Sequence, residues 1–123
     1  NPQYPSPQFP HWKLGLIYLK QKNYETALAE FLQVRQIEPV NPVVLDKIAE
    51  TYLEMGQAEK ARSFIEEAVR IAPNNHLAHF KLASFYLKEG SVEKAMNAFK
   101  KVIEQAPESP EAEESRKILE TPQ

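Results

Sequence analysis

The sequence runs to 123 residues, 42% of them hydrophobic and 26% charged, which suffices for one buried domain core and is too apolar for a disordered chain. A formal net charge of −2 offers no basic field to nucleic acid or an anionic membrane surface, and the lack of cysteine excludes a disulfide framework and thiolate metal sites while leaving the compartment open. No apolar run approaches the roughly 18 residues of a membrane-spanning helix, no secretory signal pattern is present, and a start at Asn1 rather than methionine reads as an excised or processed piece.

Residues 1–9 belong to NPQYPSPQFP, whose prolines lack a backbone donor and bias their predecessors away from helix. An extended arm or linker is expected there, with Pro10 in the first turn of a helix that reaches about Gln21. Leu14, Gly15, Tyr18 and Leu19 form its apolar stripe. Lys22-Asn23 makes a turn, with Asn23 as N-cap of a second helix over Tyr24–Ile37 that turns Ala27, Leu28, Phe31 and Val34 inward. Pro39 stops it. Asn41-Pro42 is a cap followed by proline at the first helical position, and the helix it opens carries Val44, Leu45, Ile48, Ala49 and Tyr52 at three-and-four spacing. Gly56 can take the left-handed conformation that ends a helix. Ala61, Phe64, Ile65, Ala68 and Val69 line the return helix up to Pro73. A third unit starts near His76, with Leu82, Ala83 and Tyr86, then Gly90-Ser91, then Ala95, Phe99 and Val102 before Pro107. Ser109-Pro110 opens a final helix over about 110–120 whose only apolar residues are Ala112, Ile118 and Leu119, a polarity that suits the last element of a stack.

The same skeleton returns every 34 residues: Tyr18, Tyr52, Tyr86; Ala27, Ala61, Ala95; Pro39, Pro73, Pro107. Small residues at Gly15, Ala49 and Ala83 face the alanine column and permit close approach of two antiparallel helices. Phe31, Ile65 and Phe99 are then expected to fill space against the next unit. A single hairpin cannot bury both of its apolar faces, so the units must stack.

These residues resemble the tetratricopeptide repeat, whose pattern joins a small residue and tyrosine on the first helix to A-x3-F and a closing proline on the second. The first repeat reads Leu14-Gly15, Tyr18, Ala27, Phe31, Pro39; the second Leu45, Ile48-Ala49, Tyr52, Ala61, Ile65, Pro73; the third Leu82-Ala83, Tyr86, Ala95, Phe99, Pro107. His79 and His11 stand where that family often has tryptophan. The resemblance covers about residues 8–109, as repeats 8–41, 42–75 and 76–109. It implies an all-α, right-handed superhelical solenoid of three antiparallel helix pairs plus a capping helix, a single domain over residues 10–120. It implies as well a protein-protein interaction module that scaffolds a complex by holding an extended peptide or helix of a partner in a concave groove.

The groove columns expected on that basis are Trp12, Lys13, Leu16, Leu19 and Lys20 from the first repeat. The second supplies Val43, Asp46, Lys47, Glu50, Leu53 and Glu54, and the third Leu77, Phe80, Lys81, Ser84, Leu87 and Lys88. Asp46, Glu50 and Glu54 fall on one strip of one helix. One reading is an apolar cleft at Trp12 and Phe80 with an acidic centre, fit for a ligand whose apolar anchors flank a Lys or Arg. The other is a solvated face on which the lysines pair with the acids and Trp12 covers the end of the stack. A subset of the family holds the acidic C-terminal tails of heat-shock chaperones with a Lys/Asn/Arg clamp. The matching places here hold Trp12, Leu16, Lys47, Leu77 and Lys81, of which Lys81 alone fits, so a chaperone tail is not the expected ligand.

No reaction, cofactor or metal is implied. His76 and His79 lie three apart on one helix without a third ligand fixed by spacing. Glu66-Glu67 and Glu113-Glu114 sit on heavily charged helices rather than in the two contrasting environments an acid/base pair needs. No phosphate-binding glycine loop, nucleophile elbow or H-E-x-x-H is present. Two further readings stay open: a substrate-recruiting or regulatory domain of a larger enzyme, and a self-associating module in which Trp12 and the first helix pack on another copy.

Overall fold

The structure, a computed structural model, describes residues 8–121. The arm expected at residues 1–7 lies outside them; Gln8 and Phe9, assigned to that arm by sequence, already belong to the first helix. Among the described residues the chain is all-α, with seven helices: α1 (Gln8–Lys20), α2 (Tyr24–Ile37), α3 (Pro42–Glu54), α4 (Ala58–Ile71), α5 (His76–Lys88), α6 (Val92–Gln105) and α7 (Pro110–Glu120). Helices adjacent in sequence pack together, α1 on α2, α2 on α3, α5 on α6 and α6 on α7.

Two kinds of junction alternate, each repeated in register. Inside a hairpin the helix ends in a Schellman turn. Asn23 N–H donates to Tyr18 O, Gln57 N–H to Tyr52 O and Ser91 N–H to Tyr86 O, each at 2.9 Å. The residue before each of these donors has positive φ: 64° at Lys22, 77° at Gly56 and 88° at Gly90. Asn23 therefore serves as the last residue of the preceding turn. Although it occupies the N-cap position of α2, its side chain makes no cap bond, contrary to the sequence expectation. Between hairpins a proline stops the chain and a polar residue caps the next helix. Asn41 Oδ1 accepts from Val43 N–H and Asn75 Oδ1 from Leu77 N–H, both at 3.0 Å, and Ser109 Oγ accepts from Ala112 N–H at 3.0 Å.

The chain divides into two compact units, Asn1–Phe64 and Ile65–Gln123. In the first, Ala27, Phe31, Val34, Val44 and Ile48 form the buried core, with Trp12, Leu16, Tyr18, Leu19, Tyr52 and Phe64 packed against it. The Phe31 ring does more than fill space toward α3. It lies on Gly15, where an added Cβ would stand 2.5 Å from Cε1, and on Trp12, with ring centroids 5.5 Å apart. In the second unit Ala83, Ala95, Ala98 and Phe99 form the core, flanked by Phe80, Tyr86, Leu87 and, from α7, Ile118 and Leu119. Ala112 and Ser115 are buried on α7 while Glu113, Glu114, Arg116, Lys117 and Glu120 are exposed, so this helix has one dry and one wet face.

Candidate functional site

In the N-terminal unit the side chains singled out by sequence lie on α1 and α3. Trp12 is half-buried, its tilted contact with Phe31 leaving part of the ring accessible; Leu16 and Leu19 are half-buried, and Lys13 and Lys20 exposed. On α3, Val43 and Leu53 are exposed, Asp46 and Lys47 half-buried, and Glu50 and Glu54 exposed. The acidic strip is internally tied. Lys47 Nζ reaches Glu50 Oε1 at 3.3 Å, and the Tyr24 hydroxyl donates to Glu54 Oε2 at 3.2 Å. Partial burial, then the Glu54 carboxylate and its hydrogen bond, push the Tyr24 phenol above its usual value of 10.0, because all three disfavour the phenolate. Sequence reasoning missed Tyr24. The available signal was the column itself: its equivalents 34 residues on are Ala58 and Val92, which have no hydroxyl.

In the C-terminal unit the same columns fall on α5. Leu77, Lys81 and Lys88 are exposed, and Ser84 and Leu87 half-buried. Phe80, in the column of Trp12, is half-buried and meets Phe99 edge-on with centroids 5.8 Å apart, repeating the Trp12–Phe31 pairing one helix pair at a time. The Tyr86 hydroxyl donates to Glu66 Oε2 at 3.1 Å. His76 and His79 go to different partners. His76 Nε2 lies 3.3 Å from Glu111 Oε1 of α7, whereas His79, nearly buried, donates from Nε2 to Pro73 O at 2.8 Å. Gln105 Nε2 donates to that same carbonyl at 2.8 Å, so one orphan C=O after α4 is satisfied twice. His79 thus supplies a ring N–H donor in the column where tryptophan was noted. Among the described residues no group of three or more His, Cys, Asp or Glu is arranged to hold a metal.

These helix pairs, Schellman turns and capped junctions recur at a 34-residue spacing, and the tetratricopeptide repeat family model matches residues 18–79 and 63–116. The chain belongs to the tetratricopeptide repeat family. Similar solved structures are repeat domains too. The Sgt2 TPR domain from Aspergillus fumigatus is 27% identical with a TM-score of 0.77, the match covering 94% of this chain and 82% of that one. The first TPR of Spaghetti (RPAP3), solved bound to the HSP90 peptide SRMEEVD, is 24% identical with a TM-score of 0.76, covering 91% of this chain and 90% of that one. The Arabidopsis OM64 TPR domain superposes equally well, with a TM-score of 0.76 over 91% of this chain and 93% of that one, at 17% identity. Tetratricopeptide repeat domains are in general protein-interaction modules, and the matched family is a repeat family rather than a catalytic one.

Proposed function

We propose that this tetratricopeptide repeat domain binds an extended peptide or a helix of a partner protein on the exposed faces of its first helices, scaffolding a complex without catalysing a reaction. The observation that carries this reading is a repeated anchor. Trp12 and Phe80, in the same repeat column, are each seated on the phenylalanine nineteen residues later, Phe31 and Phe99, and each keeps part of its ring accessible. A side chain fixed in this way loses little rotamer freedom on binding, so its contact area is used efficiently. Each unit carries its own anchor and exposed side chains on its first helices, Lys20, Val43 and Glu54 in the first unit and Leu77 and Lys88 in the second. Each suits a ligand segment that pairs an apolar anchor with charged or polar residues.

The acidic tail of a chaperone is not the ligand we propose. Of the five clamp positions Lys81 alone carries a side chain that matches the clamp, and Leu16 and Leu77 offer no donor to a terminal carboxylate. The HSP90 peptide in the RPAP3 complex belongs to that protein.

Affinity capture with the wild-type chain, repeated with Val43→Ser and Leu77→Ser, tests the reading. Both sites are solvent-exposed, so the variants retain their melting temperature. Loss of the captured partner from either supports the proposal. Retention of every partner by both, and by Phe80→Ala, overturns it. Titration with SRMEEVD is expected to show no saturable binding; a micromolar Kd, about −8 kcal/mol, would return the tail to the list of ligands.

A further inference from the structure

The first helix leaves open a column that the later first helices bury. Leu14 is 40% exposed, whereas Ile48 and Leu82, at the same place in the next two repeats, are 0% and 8% exposed. Ile17 is 48% exposed against 0% for Thr51 and 6% for Phe85. Leu14 and Ile17 lie three residues apart, on one face of α1. The following repeat shows what fits this column: α2 contributes Ala27, Phe31 and Val34 to one core cluster with Val44 and Ile48 of α3. The complement is therefore a helix with a small residue, a phenylalanine and a β-branched residue at i, i+4 and i+7.

Charge narrows the occupant. Helix α1 contains no aspartate or glutamate, and both its lysines, Lys13 and Lys20, are exposed, each within one turn of Ile17. Helix α2 is a template for the apolar spacing only, since its Glu30 is taken by His11 of α1 at 2.9 Å. A second copy of this chain fits poorly. The outer face of α7 offers Glu113, Glu114, Arg116, Lys117 and Glu120 but no apolar residue, and pairing α1 with α1 sets lysines against lysines.

We propose that the Leu14–Ile17 face of α1 is a docking site for an amphipathic, acid-flanked helix of a partner protein, bound as α2 is bound by α3. The Leu14–Ile17 face shares Lys20 with the surface discussed above, but the proposal does not rest on that reading. The closest probe to hand is a synthetic peptide of residues 23–38, which has the required apolar spacing and three glutamates against one arginine. Titrated into the isotope-labelled chain, it is expected to shift the amides of residues 11–21, saturating by about 1 mM. In Ile17→Asp the affinity is expected to fall roughly tenfold or more, with the melting temperature unchanged because the side chain is half in solvent. Lys20→Glu, a purely surface change, is expected to weaken binding several-fold at low salt and little at high salt. Absence of saturable shifts, shifts centred on α3 or α5, or undiminished binding by both variants would overturn the proposal. So would a concentration-dependent dimer that Ile17→Asp dissolves, since the occupant would then be a second copy.

Discussion

Lys22 occupies the position that glycine holds in the other two hairpin turns, and replacing it should stabilise the protein. Its φ is 64°, in the same left-handed region as Gly56 at 77° and Gly90 at 88°. The turn it closes has the same hydrogen bonds as theirs: Lys22 N–H to Leu19 O at 3.0 Å, Gly56 N–H to Leu53 O at 3.0 Å, Gly90 N–H to Leu87 O at 3.2 Å. An L-residue in the left-handed region costs about 1–2 kcal/mol. Glycine restores about 0.5–1 kcal/mol of that advantage to the unfolded chain through its greater entropy. Lys22 is exposed and closes no core contact, so Lys22→Gly should gain about 0.5–1 kcal/mol, or about 2–5 °C in Tm for a domain of this size. Gly56→Ala is the mirror control. A Cβ there meets nothing within 4 Å, so its cost, about 1 kcal/mol, isolates the backbone penalty from any clash. Paired urea and thermal melts of the three proteins measure both. If Lys22→Gly lowers stability, or Gly56→Ala is neutral, the three turns are not energetically equivalent and the register argument fails.

Three further changes probe the packing and the one perturbed side chain. Gly15→Ala places a methyl 2.5 Å from Phe31 Cε1, a ring that is fully buried and cannot withdraw, so about 1–3 kcal/mol should be lost in a denaturant melt. Tyr52→Ala removes a ring stacked on Phe64 at 5.7 Å; because Tyr52 is half-buried, the cost in the same melt should be about 2–3 kcal/mol, below the range for a fully buried aromatic. Tyr24 should ionise later than an ordinary tyrosine, visible as a late phase of phenolate absorbance that Tyr24→Phe abolishes and Glu54→Gln moves toward the usual value. Since its folded pKa is raised, the stabilisation it carries is complete below pH 10.0 and disappears as pH climbs through the raised value.

The elements were legible because their determinants are local. A proline that cannot continue a helix, a polar cap two residues later and a stripe at three-and-four spacing each act within a few residues, and the 34-residue repetition reads each of them three times. The site residues were legible only as columns. Periodicity placed Trp12 and Phe80 on the first helices but not on the rings of Phe31 and Phe99, which come from another helix and depend on how closely Gly15 and Ala83 let the pair approach. Asn23 does stand at the N-cap of α2, but its side chain makes no cap bond. Residue type favours capping, but the Schellman bond from its own N–H to Tyr18 O commits the backbone first. The partners of Glu54 and Glu66 come from neighbouring helices and that of His79 from the loop before its own helix, and no sequence spacing encodes them.

The middle repeat is the one whose first helix departs from its neighbours, and the departures are coupled. In the anchor column the residues are Trp12, Asp46 and Phe80; in the last turn of the same helices they are Lys20, Glu54 and Lys88. Both columns change character in α3 alone, from aromatic to acidic and from basic to acidic. Isolated surface substitutions are cheap and would scatter, whereas Glu54 is also held by a tyrosine hydroxyl that the equivalent residues Ala58 and Val92 cannot provide. Fixing an exposed carboxylate costs side-chain entropy and returns little stability at such a surface. A carboxylate positioned at that cost adds little to the fold; under the function proposed above, α3 is the helix on which charge, rather than apolar contact, would discriminate between partners.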